Sequence, residues 1–183
     1  MKKSERVMMR GKNTKLLLSC AALLFLCMLA CVVCVASART IYVPDNYAKI
    51  KWAVHNATDG DTIIVRDGIY YEHGITVVNN SLTIKSENGS ANCIIDGMHC
   101  HDDIISIIGG ADNIKIEGFT IRNVLQGYGI KVLTDQNIIQ NNVFLENNFG
   151  GILVSGDNNL IQGNTIKKND TVADYGIRVE GKK

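Results

Sequence analysis

Three stretches of the chain share one alternation of apolar and outward-facing positions: Gly129-Ile130-Lys131-Val132, Gly151-Ile152-Leu153-Val154 and Gly176-Ile177-Arg178-Val179, at steps of 22 and then 25. Successive side chains of a strand point to opposite faces. The pattern therefore puts Ile130, Ile152 and Ile177 in one inward stack and Val132, Val154 and Val179 in another, leaving Lys131, Leu153 and Arg178 outside. Between these motifs Ile139-Gln140, Asn142 and Asn147 recur one repeat later as Ile161-Gln162, Asn164 and Asn169, and Asp112, Asp135 and Asp157 recur at steps of 23 and 22. Short alternating strands at such a period, with no helical stretch among them, predict one coil of a β-solenoid per repeat. A single coil has nothing beneath it to bury against, so the coils must stack.

Upstream, Ile50, Ala53, Val54 and Ala57 fall at helical spacing and predict a short amphipathic helix over 48–57, closed by Gly60. Strands are predicted at Asp61-Thr62-Ile63-Ile64-Val65, Ile75-Thr76-Val77-Val78, Leu82-Thr83-Ile84 and Ile94-Ile95. The expected fold is all-β, a right-handed single-stranded parallel β-helix with a short N-terminal capping α-helix. The cap covers 41–60, and about five coils follow over 61–183. The abundance of Asn past residue 137 fits turns that need left-handed backbone and amides able to bond to the next coil. Asn123, Asn147 and Asn169, at steps of 24 and 22, are expected to form one such internal ladder.

The segment 1–38 differs in composition. Lys2, Lys3, Arg6, Arg10, Lys12 and Lys15 precede an apolar or small-residue run from Leu16 to Ala38, the layout of an export signal, with Ala36-Ser37-Ala38 as a cleavage site that would leave Arg39 first. The run also has the length of a membrane span, so a cleaved signal peptide and an uncleaved anchor both stand. Either places 39–183 outside the cytoplasm, secreted or at the cell surface, with membrane contact only through the N-terminal segment. Without the leader the chain has 13 basic and 17 acidic residues, a net charge of −4, which argues against nucleic acid as a partner.

The stretch Ile41-Tyr42-Val43-Pro44-Asp45 through Ala53-Val54, then Gly60-Asp61-Thr62-Ile63-Ile64-Val65 and Gly68-Ile69-Tyr70-Tyr71-Glu72, resembles the N-terminal cap and first coil of pectin-lyase-like proteins. The asparagine-rich repeats resemble those of its NosD and carbohydrate-binding/sugar-hydrolysis subgroup. The resemblance spans essentially 41–183 and implies the β-helix fold, a polysaccharide or cell-envelope glycan as partner and, through NosD, copper. It does not fix an activity, because one scaffold hosts many. The last coil carries no recognisable cap, so the expectation is either self-association through that end or a truncated member of the family.

Three sets of residues carry candidate chemistry. Trp52, Tyr70 and Tyr71 are candidates for stacking on sugar rings or, alternatively, for covering the end of the solenoid. Asp112, Asp135 and Asp157, at coil spacing, could share a cation such as calcium or serve as turn residues. The segment holding Cys93, Met98, His99, Cys100 and His101 offers thiolate, thioether and imidazole, ligands for copper or zinc. Cys93 and Cys100 are equally a disulfide candidate in an oxidising compartment. Lys115, Glu117 and Arg122 point outward but form no lyase signature, and the repeats are dominated by Ile, Val, Asn and Gly. The expectation is accordingly a non-catalytic glycan-binding or structural module. A polysaccharide lyase or glycoside hydrolase and a copper-handling maturation factor are the alternatives.

Overall fold

The computed structural model describes residues 37–78, 81–167 and 175–181, so the leader through Ala36, with its cysteines, lies outside the described residues. Within them the chain winds through three parallel sheets. Sheet A stacks β1 (Thr40–Val43), β2 (Thr62–Val65), β5 (Thr83–Ser86), β8 (Lys115–Glu117), β11 (Ile138–Gln140) and β14 (Leu160–Gln162). Sheet B stacks β3 (Gly68–Tyr71), β6 (Cys93–Cys100), β9 (Thr120–Val124), β12 (Val143–Asn147) and β15 (Thr165–Lys167). Sheet C stacks β4 (Ile75–Val78), β7 (Ile105–Ile108), β10 (Tyr128–Val132), β13 (Gly150–Val154) and β16 (Tyr175–Val179). Each coil visits A, B and C in turn, and β1 with helix α1 (Ile50–Asn56) forms a partial turn before the first complete coil.

The inward rows are as the alternation predicts. Ile130 pairs in register with Ile105 and Ile152, and Ile152 with Ile177; Val132, Val154 and Val179 align likewise. In sheet A, Ile41, Ile63, Ile84, Ile116 and Ile139 form a continuous buried stack. Leu153 departs from expectation: it faces outward yet is buried. Lys131 and Arg178 flank it in register, and long basic stems shield apolar neighbours. The recurrent glycine of the motif answers to close packing: a Cβ at Gly129 would sit 2.7 Å, and one at Gly151 3.1 Å, from the ring of Phe144.

Most corners of the solenoid turn on a residue with left-handed backbone. Gly118, Asn141 and Gly163 do this between sheets A and B, Asn113, Gln136 and Asn158 between C and A, and Asn123 and Glu146 between B and C. At the A–B and C–A corners the next residue bears the ladder. Asn142 Oδ1 accepts from Phe119 N, and Asn164 Oδ1 accepts from Asn142 N; Asn137 and Asn159 repeat the arrangement beside Ile114. The ladder expected through Asn123 and Asn147 is corrected by one residue, because Asn147 pairs with Val124 and the left-handed Asn123 matches Glu146. Asn169 lies outside the described residues.

The stacked aspartates also bridge coils, in the opposite sense. Asp112 Oδ1 accepts from Asp135 N at 2.9 Å, and Asp135 Oδ1 from Asp157 N at 2.7 Å. Each carboxylate of the first two thus binds the backbone of the following coil, and the cation-sharing expectation gives way to a turn ladder.

The two ends differ. Helix α1 buries Ile50, Ala53 and Val54 over the first coil, while β14, β15 and β16 are terminal in their sheets, with Leu160, Ile177 and Val179 exposed. Asp61, fully buried, accepts from Arg39 N and Nε and from Thr58 N and Oγ1. Burial alone would raise its carboxyl, but these bonds hold it down to about 2.

Asn142 is fully buried and also donates to Ile116 O. Replacing it with Ala strands the Phe119 N–H, at a cost of about 1–3 kcal/mol, while the Ile116 carbonyl keeps its place in the ladder with β11. Chemical denaturation of Asn142→Ala is expected to show a loss of about 1–3 kcal/mol, several times that of Gln162→Ala, which removes only an exposed amide pair with Gln140.

Candidate functional site

Where α1 meets the first two B–C corners the surface opens into a groove of about 320 Å³, lined by Lys49, Lys51, Trp52, Tyr71, Glu72, His73 and Met98. Three segments build it. Helix α1 presents Trp52 from outside its apolar stripe, 49% exposed, with Lys49 Nζ 5.4 Å from the indole centroid. Strand β3 ends with Tyr71 outward and 58% exposed. Strand β6 breaks register between Asp96 and Cys100, with Met98 and His99 in left-handed backbone, and this bulge pushes Met98 out to 52% exposure.

The bulge is held from below. Asp96 accepts from Met98 N at 2.9 Å, Arg122 Nε at 2.8 Å and Asn123 Nδ2 at 2.9 Å. Burial would raise the Asp96 carboxyl, but the bonds from Asn123, Met98 and Arg122 outweigh it and hold the group below the ordinary carboxylate range. On the other wall, Glu72 is buried and accepts from Ile50 N at 2.8 Å and Lys51 N at 3.0 Å, fixing α1 to the first coil in place of a local capping side chain. The Glu72 charge is therefore turned toward the helix. His73 closes the floor. Its Nδ1 is buried without a hydrogen-bond partner, 3.9 Å from Asp102 Oδ2.

The structure separates the residues singled out from the sequence. Trp52 and Tyr71 share the groove, whereas Tyr70 faces the interior in register with Ile95 and Ile121. Its hydroxyl donates to Arg66 O at 3.0 Å, and burial first, then nearby acidic groups, pushes its phenol up to about 12. Tyr70 thus anchors the first coil rather than offering a stacking face. The groove adds Lys49, Lys51 and His73, which sequence reasoning passes over; the only signal is their place beside Trp52 and Tyr71.

The thiol and imidazole set is dispersed. Cys93 is buried in the core row beside Gly68, Cys100 lies past the corner, and both are free. The expected disulfide is not formed. Residues 93–96 already run extended along sheet B for roughly 10 Å at about 3.3 Å per residue, Cys100 lies farther along the coil, and a disulfide needs Cα atoms within about 7 Å. Cys100 Sγ instead donates to Asp102 O. His99 and His101 are exposed. Among the described residues no three His, Cys, Asp or Glu side chains gather where they could hold a metal ion.

A second depression, about 430 Å³, lies at the A–B corner and includes Glu87 and Glu117. Each carboxylate there faces a cation: Glu87 shares Arg66 with Asp45, with Nη1 at 2.9 Å, and Glu117 meets Lys115 Nζ at 2.5 Å. Two carboxylates so neutralised do not make the acid and base pair that glycoside hydrolysis requires.

Residues 103–183 match the family described as right handed beta helix region. The fold is a right-handed parallel β-helix. No curated protein sequence matches the chain. Among solved structures, a mutant pectin methylesterase in complex with a hexasaccharide superposes with a TM-score of 0.55 at 16% identity, over 78% of this chain and 60% of that one. The β-helix thus spans about three fifths of the length of that enzyme, and at this identity the likeness concerns the fold.

Burial pushes the Cys93 thiol up to about 12 and also raises that of Cys100. Because the thiolate is the reactive form, neither is expected to take up a maleimide at neutral pH in the folded protein, and both react after denaturation. Peptide mapping by mass spectrometry checks this; prompt labelling of Cys93 would contradict its place in the core.

Proposed function

We propose that this protein is an extracytoplasmic glycan-binding β-helix whose binding site is the groove between Trp52 and Tyr71. The observation that carries this reading is the pairing of two exposed aromatic rings from separate elements across an open groove whose walls also carry Lys49, Lys51 and His73. Sugar rings present apolar faces edged by hydroxyls, so aromatic surface beside donors suits them. That a pectin methylesterase of the same fold holds a hexasaccharide agrees with this reading at the level of ligand class. The binding reading is favoured over a lyase or hydrolase by the groove's chemistry, since its single carboxylate, Glu72, already serves two helix N–H groups.

Export is supported by the leader's composition and by the contacts of Arg39. Its backbone nitrogen lies 2.9 Å from the buried Asp61 carboxylate. Cleavage after Ala38 would turn that nitrogen into an ammonium facing a ready counter-charge. Intact-mass analysis of protein from an exporting host is expected to find Arg39 as the first residue. A mass retaining Met1 to Ala38 would instead identify the leader as an anchor.

Binding is tested with the full-length chain on an array of plant, microbial and host polysaccharides. Trp52→Ala and Tyr71→Ala are each expected to weaken binding of the selected glycan by about tenfold or more, while Tyr70→Phe leaves it unchanged. Equal binding by the Trp52 and Tyr71 variants would remove the groove from consideration.

A further inference from the structure

Asp61 is a charge in a row that is otherwise apolar or amide-bearing. It lies one position before β2, where Leu82, Ile114, Asn137 and Asn159 lie one position before β5, β8, β11 and β14, and Arg39 one position before β1. Leu82, Ile114 and Asn137 are buried like Asp61 itself. The bond that Asp61 makes to the start of the chain is the ladder bond of this row. Asn137 Oδ1 accepts from Ile114 N, and Asn159 Oδ1 from Asn137 N. Asp61 Oδ1 accepts from Arg39 N at 2.9 Å in the same relation, from one coil to the one before. A neutral amide suffices twice in that place, yet here the acceptor is a carboxylate, held down to about 2 and so charged at neutral pH. Oδ2 takes Arg39 Nε at 2.9 Å together with Thr58 N and Oγ1. The cation it meets is uneven compensation, because the Arg39 side chain is 52% exposed while the carboxylate is fully buried, and a buried charge needs a close partner and full hydrogen bonding.

We propose that Asp61 is the receptor for the α-ammonium created at Arg39 when the leader is removed, so that processing completes the N-terminal cap and makes the mature chain more stable than its precursor. The inference rests on the export reading and deepens it from where the chain is cut to what the cut does. Hydrolysis of the Ala38–Arg39 bond consumes one water and leaves a carboxylate on Ala38, which departs with the leader, and an ammonium on Arg39. The nitrogen stays in place, since Thr62 N donates to Arg39 O at 2.9 Å. Its bond to Asp61 changes from a neutral donor to a charged one, and charge-assisted bonds are roughly twice as strong. The gain reaches the groove wall, because Arg39 Nη2 also donates to the carbonyl of Asn56, the last residue of α1. The helix that carries Trp52 is thus held at its start by Glu72 and at its end by Arg39.

The test is thermal unfolding of the full-length chain from an exporting host, as it is and with Ala38→Leu, which removes the small residue that cleavage requires and leaves the leader attached. Both forms are purified in the same detergent. The processed chain is expected to melt about 4 °C or more above the unprocessed one. Arg39→Ala, which keeps the α-nitrogen and removes the guanidinium, is expected to preserve or widen that gap, and Asp61→Asn to close it. A second readout does not depend on the Asp61 variant folding: the α-amine of the folded processed chain is expected to be acetylated several-fold more slowly than that of the unfolded chain. An undiminished gap in Asp61→Asn, no gap in the wild-type and Arg39→Ala pairs, or equal acetylation rates would overturn the latch and leave export standing. Failure of any exporting host to produce a chain beginning at Arg39 would overturn cleavage and latch together.

Discussion

The constraint on which everything else depends is that no coil can bury itself. Each inner strand has one hydrogen-bonded neighbour above and one below, and each Ile or Val of an inward row is dry only because the same position in the next coil covers it. The chain meets this constraint twice in every turn. Apolar rows such as Ile41–Ile63–Ile84–Ile116–Ile139 supply the contact, and corner side chains such as Asn142 and Asp135 take up the backbone groups that the turns leave without partners. Stability is then a sum of neighbour contacts along one axis, and a surface site is free to form wherever one coil departs from the common shape.

That departure is the bulge of β6. The coil that begins at Thr83 closes only at its register partner Lys115, a longer circuit than its neighbours make, and the excess emerges partly at the B–C corner as Met98 and His99. Asp96, tied to Arg122 and Asn123 of the next coil, keeps the excess loop in one conformation. Helix α1, fixed by Glu72, supplies the opposite wall. The groove is thus a product of two irregularities, a cap and an overlong coil, set on a regular frame.

The frame is legible in the sequence because its rules are local and repeated. Period-two alternation places Ile130, Ile152 and Ile177 in their row, and the helix over 50–56 follows from its spacing. The asparagine ladder is displaced by one position for a physical reason. The left-handed corner residue and the amide-bearing residue after it are neighbours, and Asn suits both, so composition alone does not say which is which. The aspartates look like cation ligands because a one-dimensional pattern shows their spacing but not that Asp112 and Asp135 aim at backbone nitrogens. The groove escapes notice because its walls come from residues near 50, 72 and 98. The first left-handed residue of its bulge, Met98, is also a type that does not announce such a conformation.

The succession of a left-handed corner residue and a ladder side chain has a consequence for how such a molecule changes length. Each segment from one corner to its equivalent carries its own turn, its own bridging amide and its own share of the apolar rows. A tandem duplication of the stretch between Tyr128 and Gly150, which pair in register, would therefore insert a finished storey whose floor and ceiling already match those around it. Repeat number becomes a nearly neutral variable, and the length of the solenoid can be set by copying rather than by redesign.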